Sequence, residues 1–166
     1  MLKEALQRLD LELAAEYFMS DFEYAIRDAF QSTFRDIEVK GCVFHYTKAI
    51  LSKVTKSGFK SDYENCPKFS AFIRAIFSLA YVPLSRLAEA VRNLYIFAKA
   101  CESDRQIKFC SVMIRYVERV WINGSFPQSS WNVYQHDGET TNNKSECTKS
   151  LGREEDTTLK FRHIQS

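Results

Sequence analysis

The sequence predicts a mainly helical protein that carries a partial α/β unit in its first third. Helix and strand patterns alternate over residues 1–60, which is typical of an α/β unit with parallel strands. Over residues 66–124, apolar residues recur only at helical spacing, which indicates an all-helical block. Hydrophobic residues make up 45% of the 166 residues and aromatic residues 14%, which excludes a wholly disordered chain.

The first elements are predicted from the spacing of apolar residues. Leucines at helical intervals predict an amphipathic helix over the first dozen residues, as far as Leu13. Residues 16–20 are short, aromatic and suited to a buried strand. Ser20 or Asp21 is then positioned to cap a helix over about 22–34. The inner stripe of that helix is expected to consist of Phe22, Ala25, Ile26, Ala29 and Phe30.

A second strand is predicted over residues 37–44, followed by a lysine-rich helix that Gly58 can end. The segment 40–60 contains five lysines and no acidic residue. Lys53, Lys56 and Lys60 follow an i, i+3, i+7 spacing, which predicts that they share one helix face. This face is either a solvated surface, the commoner case, or a stripe that contacts phosphates. The candidate DNA-binding residues are Lys48, Lys53, Lys56 and Lys60.

Three amphipathic helices are predicted in the helical block. The first carries an apolar stripe over residues 69–80, and Pro83 stands where the second begins. Ser103 and Gln106 fit a capping box at the start of the third helix, which ends at Gly124.

Charge and cysteine content exclude several classes of protein. With 23 basic and 21 acidic residues, the net charge of +2 is too balanced for a strongly nucleic-acid-binding tail. No apolar run approaches the roughly 20 residues that span a bilayer, so no membrane association is expected. The N-terminus has no signal-peptide pattern, and the five cysteines are an odd number. We therefore expect reduced thiols in a nuclear or cytoplasmic protein that is not secreted.

Two short motifs have residue types suited to chemistry. Asp21 follows a buried-type strand, and the carboxyl ends of strands are where α/β sheets bind ligands and metals, although a helix cap is the commoner role. Cys42 and His45 form a C-x2-H pair of zinc-ligand types, but a structural zinc site needs four ligands. His136, Cys147 and His163 complete no finger spacing, so a buried cysteine and a hydrogen-bonded histidine explain the pair better.

Five features in order resemble the transposase domain of Mutator-like transposable elements, the MULE family, over residues 1–146. The family pattern has an Asp-x-Glu after a strand, a Gly-Cys-x-Phe-His, an aromatic-rich helical insertion, a Trp-Asn and a Thr-Asn-Asn-x-x-Glu. The corresponding segments here are Ser20-Asp21-Phe22-Glu23, Gly41-Cys42-Val43-Phe44-His45, the helical block, Trp131-Asn132-Val133-Tyr134 and Thr141-Asn142-Asn143-Lys144-Ser145-Glu146.

The resemblance implies a ribonuclease-H-like fold with a catalytic triad of two Asp and one Glu. These carboxylates hold two divalent ions, Mg²⁺ or Mn²⁺, around a phosphodiester. Asp21 matches the second Asp and Glu146 matches the Glu, so both are the implied catalytic and metal-binding residues. Cys42 and His45 match the family's C-x2-H, for which we expect a structural role near the site.

Two departures from the family pattern limit these expectations. The first catalytic Asp has no match in this sequence, and the residues after Glu146 diverge from the family's aromatic or His-containing helix. We therefore expect a truncated ribonuclease-H-like domain that cannot catalyse transposition by itself. Its predicted parts are a partial α/β region (1–60), a helical insertion (61–126), a return segment with the Glu motif (127–146) and a divergent, disordered tail (147–166).

The implied partners are DNA, as transposon ends, and other transposase chains. A second hypothesis is a non-enzymatic, transposon-derived helical module that binds protein or DNA. A small Cys/His zinc protein is a third.

Overall fold

A computed structural model describes residue 4, residues 8–9, 11–13 and 17–134, and residues 161–163. These residues form two compact units, with the chain passing from the first to the second between Cys42 and Val43. The protein is mainly helical and contains a small two-stranded parallel sheet, as the sequence predicted. No helix of the described ranges is long and apolar enough to cross a membrane.

The first unit contains the parallel sheet. Strand β2 (Tyr17–Ser20) pairs with β3 (Glu38–Gly41) so that Ser20 lies opposite Gly41, and helix α1 (Tyr24–Thr33) connects the two strands. This β–α–β arrangement confirms the predicted parallel strands. The second strand is shorter than the predicted 37–44, because a helix already begins at Val43.

A separate antiparallel pair joins β1 (Leu11–Leu13) to β4 (Phe161–His163) in the same unit. The predicted helix over the first dozen residues was therefore wrong at its end, where Leu-Glu-Leu alternates at the spacing of a strand. The prediction of a disordered tail over 147–166 falls outside the described residues, except at β4, which is a strand.

Helix α1 packs through its C-terminal aromatic residues. The ring of Phe30 stacks on Phe18 of β2, with the ring centroids 3.9 Å apart, and also contacts Phe34. The predicted inner stripe was wrong at Ala25, Ile26 and Ala29, which are exposed. The contact with β2 is made through Phe30, near the C-terminal end of the helix, and it does not extend to these earlier residues.

The second unit is a bundle of helices. Its core is built from the predicted apolar stripes: the helical residues of 69–80 bury Phe69, Phe72, Ile73 and Ile76, and the later helices bury Leu87, Val91, Ile114 and Val117. The helices are α2 (Val43–Lys56), α3 (Lys60–Asn65), α4 (Pro67–Ser78), α5 (Leu87–Lys99), α6 (Asp104–Val117) and α7 (Gln128–Trp131), with a π-helical turn at Glu118–Ile122.

The start of α6 confirms the predicted cap and adds a polar cluster. The Ser103 hydroxyl accepts a hydrogen bond from the Gln106 amide at 3.2 Å. The buried Gln106 side chain accepts from the Glu102 amide at 3.1 Å and donates to Asp62 at 2.9 Å. This bond from Gln106, followed by contact with Arg105, holds the pKa of Asp62 below its usual range. The cluster therefore fixes α3 against α6.

Candidate functional site

Asp21 lies directly beyond the carboxyl end of β2, in the position where α/β sheets bind ligands. It does not cap α1, because the N-cap residue of that helix is Glu23, and the Ser20 hydroxyl donates instead to the Asp21 carbonyl at 3.1 Å. The expected helix-cap role of Ser20 or Asp21 was therefore wrong. The half-buried Asp21 carboxyl remains at the strand end as a candidate ligand-binding group.

The Gly41-Cys42 part of the second motif meets the Asp21 motif at this edge of the sheet. The Cys42 amide donates to the Ser20 carbonyl at 3.0 Å, which extends the parallel pairing by one hydrogen bond. The Phe22 ring occupies the space that a side chain at Gly41 would need. Glycine at position 41 therefore leaves room for Phe22, the residue after Asp21, to pack tightly on β3. Residues from two motifs that are separate in the sequence thus form one local structure.

Cys42 and His45 lie on either side of the junction between the two units. Cys42 is fully buried just after β3, and the half-buried His45 lies in the first turn of α2, where its ring meets the edge of Phe44. Their predicted structural role remains a prediction.

The predicted metal ligands are only partly described. Glu146 lies outside the described residues, as do His136 and Cys147 of the zinc hypothesis. Within the part of the chain that the structure describes, no three His, Cys, Asp or Glu side chains form a group that could hold a metal ion. The described residues do not by themselves make up the predicted Mg²⁺ or Mn²⁺ site.

The lysine-rich helix is interrupted before its last predicted member. Helix α2 ends at Lys56, Gly58 adopts a positive φ of 77°, and Lys60 begins α3. The end at Gly58 confirms the prediction, but the single face that was to include Lys60 was wrong, since the chain changes direction at the glycine. Lys60 pairs instead with Glu64, at 3.7 Å.

Two of the three lysines that remain on α2 lie close to aromatic rings. The ammonium of Lys48 lies 5.7 Å from the centroid of the Phe44 ring, and that of Lys53 lies 5.8 Å from the centroid of Tyr116. Arg115 and Arg119 line an open groove together with Lys53. Sequence reasoning missed both arginines, although their i, i+4 spacing on a predicted helix was a usable signal.

The Trp-Asn motif is a structural part of the second unit. Trp131 is fully buried, and its indole N–H donates to the Trp121 carbonyl at 2.9 Å. The Asn132 amide donates to the carbonyls of Leu79 and Val82, at 3.2 and 2.8 Å. Both residues therefore stabilise the fold.

The described cysteines are buried thiols. Cys66, Cys101 and Cys110 form no disulfide among the described residues, and Cys42 is buried as they are. Burial raises the pKa of both Cys101 and Cys110, whose sulfur atoms lie 3.6 Å apart. A raised pKa lowers the thiolate fraction, so neither is suited to nucleophilic chemistry.

Comparison of the chain with protein families, with curated proteins and with solved structures found no match.

Proposed function

We propose that this chain is part of a ribonuclease-H-like transposase domain of the Mutator-like type, and that it binds DNA. The observation that carries the proposal is the position of Asp21 at the carboxyl end of β2 in a parallel β–α–β unit. Parallel strands joined by a helix are the kind of scaffold on which that family places a catalytic carboxylate. The close packing of Phe22 on Gly41 adds support. A side chain at position 41 would collide with the Phe22 ring, so the structure explains why the second motif has glycine there.

The charge of α2 supports DNA binding. Lys48 and Lys56 are exposed, and this helix contains no acidic residue that would neutralise them. Lysine side chains on one element bind phosphates without regard to base sequence, and they displace counterions from DNA as they do so. The DNA-binding residues of the proposal are therefore Lys48, Lys53 and Lys56, with Lys60 engaged by Glu64.

We expect the purified chain to bind a fluorescent DNA duplex at low salt, with an affinity that falls steeply as salt rises. The double variant Lys48→Gln, Lys56→Gln should bind more weakly and reduce the slope of log K against log salt by about two, one for each lost phosphate contact. Fluorescence anisotropy at several salt concentrations measures both. The matched control, Arg92→Gln with Lys99→Gln on α5, removes two exposed cations and should leave the slope unchanged. An affinity that does not depend on salt, or none at low salt, would contradict DNA binding.

We expect no Mg²⁺- or Mn²⁺-dependent strand cleavage by the 166-residue chain alone. Two-metal chemistry in the resembling family needs three carboxylates, and this sequence matches two of them, Asp21 and Glu146. A nicking assay on supercoiled DNA with either ion tests this. Cleavage that disappears in Asp21→Ala would overturn the expectation and identify Asp21 as a catalytic residue.

A specific observation favours the alternative of a non-enzymatic protein-binding module. Helix α5 exposes three consecutive large apolar side chains, Tyr95 (43%), Ile96 (68%) and Phe97 (46%). Large apolar side chains exposed on a helix, Ile96 above all, are candidate contacts for a protein partner. Failure of the chain to bind DNA at low salt would favour this alternative.

A further inference from the structure

An open groove of about 530 Å³ in the helical unit is lined by three cationic side chains. Lys53 comes from the last turns of α2, Arg115 from the last turn of α6, and Arg119 from the π-helical turn that follows. The one acidic residue in the lining is Glu118. Helices distant in sequence therefore bring an excess of positive charge to one depression.

No ion pair engages the three cations of the groove within the described ranges. None of the ion pairs there involves Lys53, Arg115 or Arg119. Arg115 on α6 and Arg119 on the π-helical turn line the same groove, so their like charges repel each other there in the absence of an anion. A phosphate in the groove would relieve that repulsion and gain charge-assisted hydrogen bonds from the guanidinium groups.

An aromatic ring lies beside the cations. Tyr116 is half-buried, lines the groove, and has the Lys53 ammonium 5.8 Å from its ring centroid. Proteins that hold unpaired nucleic acid combine cations along the backbone with aromatic side chains on which bases stack. The adjoining π-helical turn, Glu118–Ile122, belongs to a class that occurs frequently at functional sites.

The size of the groove suits a single nucleotide. A volume of about 530 Å³ lies within the range of about 300–1,000 Å³ found for pockets that hold small molecules. One nucleotide is a group of that size, whereas a double helix, with a major groove itself about 12 Å wide, is far larger.

We propose that this groove binds one nucleotide of an unpaired DNA strand, with the phosphate held by Lys53, Arg115 and Arg119 and the base stacked on Tyr116. The inference rests on the proposed DNA-binding function and deepens it, since it assigns a distinct site and a distinct form of DNA. Duplex DNA would be bound through the exposed Lys48 and Lys56 of α2 and an unpaired strand through this groove, and Lys53 is the one residue that the two contacts share.

The test compares a fluorescent oligo-dT with a duplex of equal length, by anisotropy at low salt. The double variant Arg115→Gln, Arg119→Gln should weaken binding of oligo-dT about tenfold or more and affect the duplex less. Both arginines are exposed, so the fold is not at risk. Tyr116→Leu should weaken oligo-dT binding by a similar factor through loss of stacking, whereas Tyr116→Phe should retain it.

The control removes the same charge elsewhere. Arg92→Gln with Lys99→Gln, on α5, should change oligo-dT affinity by less than about twofold. Equal losses of oligo-dT affinity in the control variant and in the arginine variant would overturn the proposed site in the groove, because net charge alone would then explain binding. Unchanged affinity in the arginine pair, or duplex binding without oligo-dT binding, would also overturn the groove while the proposed DNA-binding function stands. Binding of neither form of DNA would overturn both.

Discussion

Trp131→Ala is expected to lower the free energy of unfolding by about 3–5 kcal/mol, the range found when large buried aromatic residues are truncated. Trp131 is 0% exposed. Its ring stacks on Tyr46 with the centroids 5.2 Å apart and meets the edge of the Trp121 ring at 6.1 Å. Truncation would leave a cavity among these rings and remove the hydrogen bond from its indole to the Trp121 carbonyl.

Urea unfolding followed by circular dichroism measures the effect of Trp131→Ala, with a shift of the midpoint and little change in slope. Trp131→Phe keeps a ring in the site but loses the hydrogen bond, so its cost should lie between those of wild type and alanine. The control Tyr134→Ala lies three residues away, is 52% exposed, and should stay within about 0.5 kcal/mol of wild type. A loss from Trp131→Ala no larger than that of the control would show that Trp131 does not anchor this unit.

The importance of Trp131 could be anticipated from the sequence only in outline. The sequence indicated Trp131 only as part of the Trp-Asn motif, whereas in the structure it ends a helical turn at Gln128–Trp131 with its indole fully buried. Its ring partner Tyr46 lies eighty-five residues earlier in the sequence. Apolar periodicity reports which face of an element is buried but not which distant element covers it.

The same limit explains the other errors. Leu11–Leu13 is too short a run for periodicity to separate helix from strand, and its partner Phe161–His163 lies near the other end of the chain. The helix face predicted for Lys53 and Lys56 was extended past Gly58 to include Lys60. A glycine with a positive φ changes the direction of the chain, so that face ends before Lys60. Within the candidate sites, the strand end at Asp21 was predictable from local pattern.

The groove was not predictable from local pattern, because it joins α2 to α6. The sequence indicated Lys53 as part of a basic helix face, and it indicated no role for Arg115 or Arg119. The packing of the two helices nevertheless brings all three side chains to the groove that Tyr116 also lines. The net charge of the whole sequence is nearly balanced, but the packing of the helices collects basic side chains in one groove, which is therefore positively charged. Tertiary structure therefore changes the candidate DNA contacts from one stripe of lysines to two surfaces.

Asn132→Asp is expected to lower the free energy of unfolding by about 3–5 kcal/mol at neutral pH, as for other buried charges left without a partner. The wild-type side chain is buried and donates to the carbonyls of Leu79 and Val82, while its oxygen accepts from the Tyr134 amide at 3.1 Å. In the variant, a carboxylate oxygen would face two carbonyl oxygens that accept hydrogen bonds and cannot donate them. The substitution barely changes volume, so the loss would report hydrogen bonding and charge.

The penalty from Asn132→Asp should depend on pH in a definite direction. Burial against carbonyl groups raises the pKa of the new carboxyl in the folded state, because only the protonated form can donate to Leu79 or Val82. A group with a raised folded pKa favours folding below its unfolded pKa, about 3.9 for Asp, and loses that contribution as the pH rises through the folded value. The difference from wild type should therefore be smaller at pH 4 than at pH 7. Asp62 has a lowered pKa in the folded state, so it stabilises the fold above its unfolded pKa and loses that effect as the pH falls. This contribution is common to wild type and variant, so comparing the two proteins at each pH removes it.

Asn132→Ala separates the effect of charge from that of the lost amide. It removes the donor without adding a carboxyl, so its cost, about 1–3 kcal/mol for carbonyls left unsatisfied, should be the same at pH 4 and pH 7. The loss in the free energy of unfolding should be larger for Asn132→Asp than for Asn132→Ala at pH 7, and about equal or smaller at pH 4. An aspartate penalty that is independent of pH would mean that the carboxyl reaches solvent in the folded variant, and it would contradict the buried position of Asn132 between Leu79 and Val82.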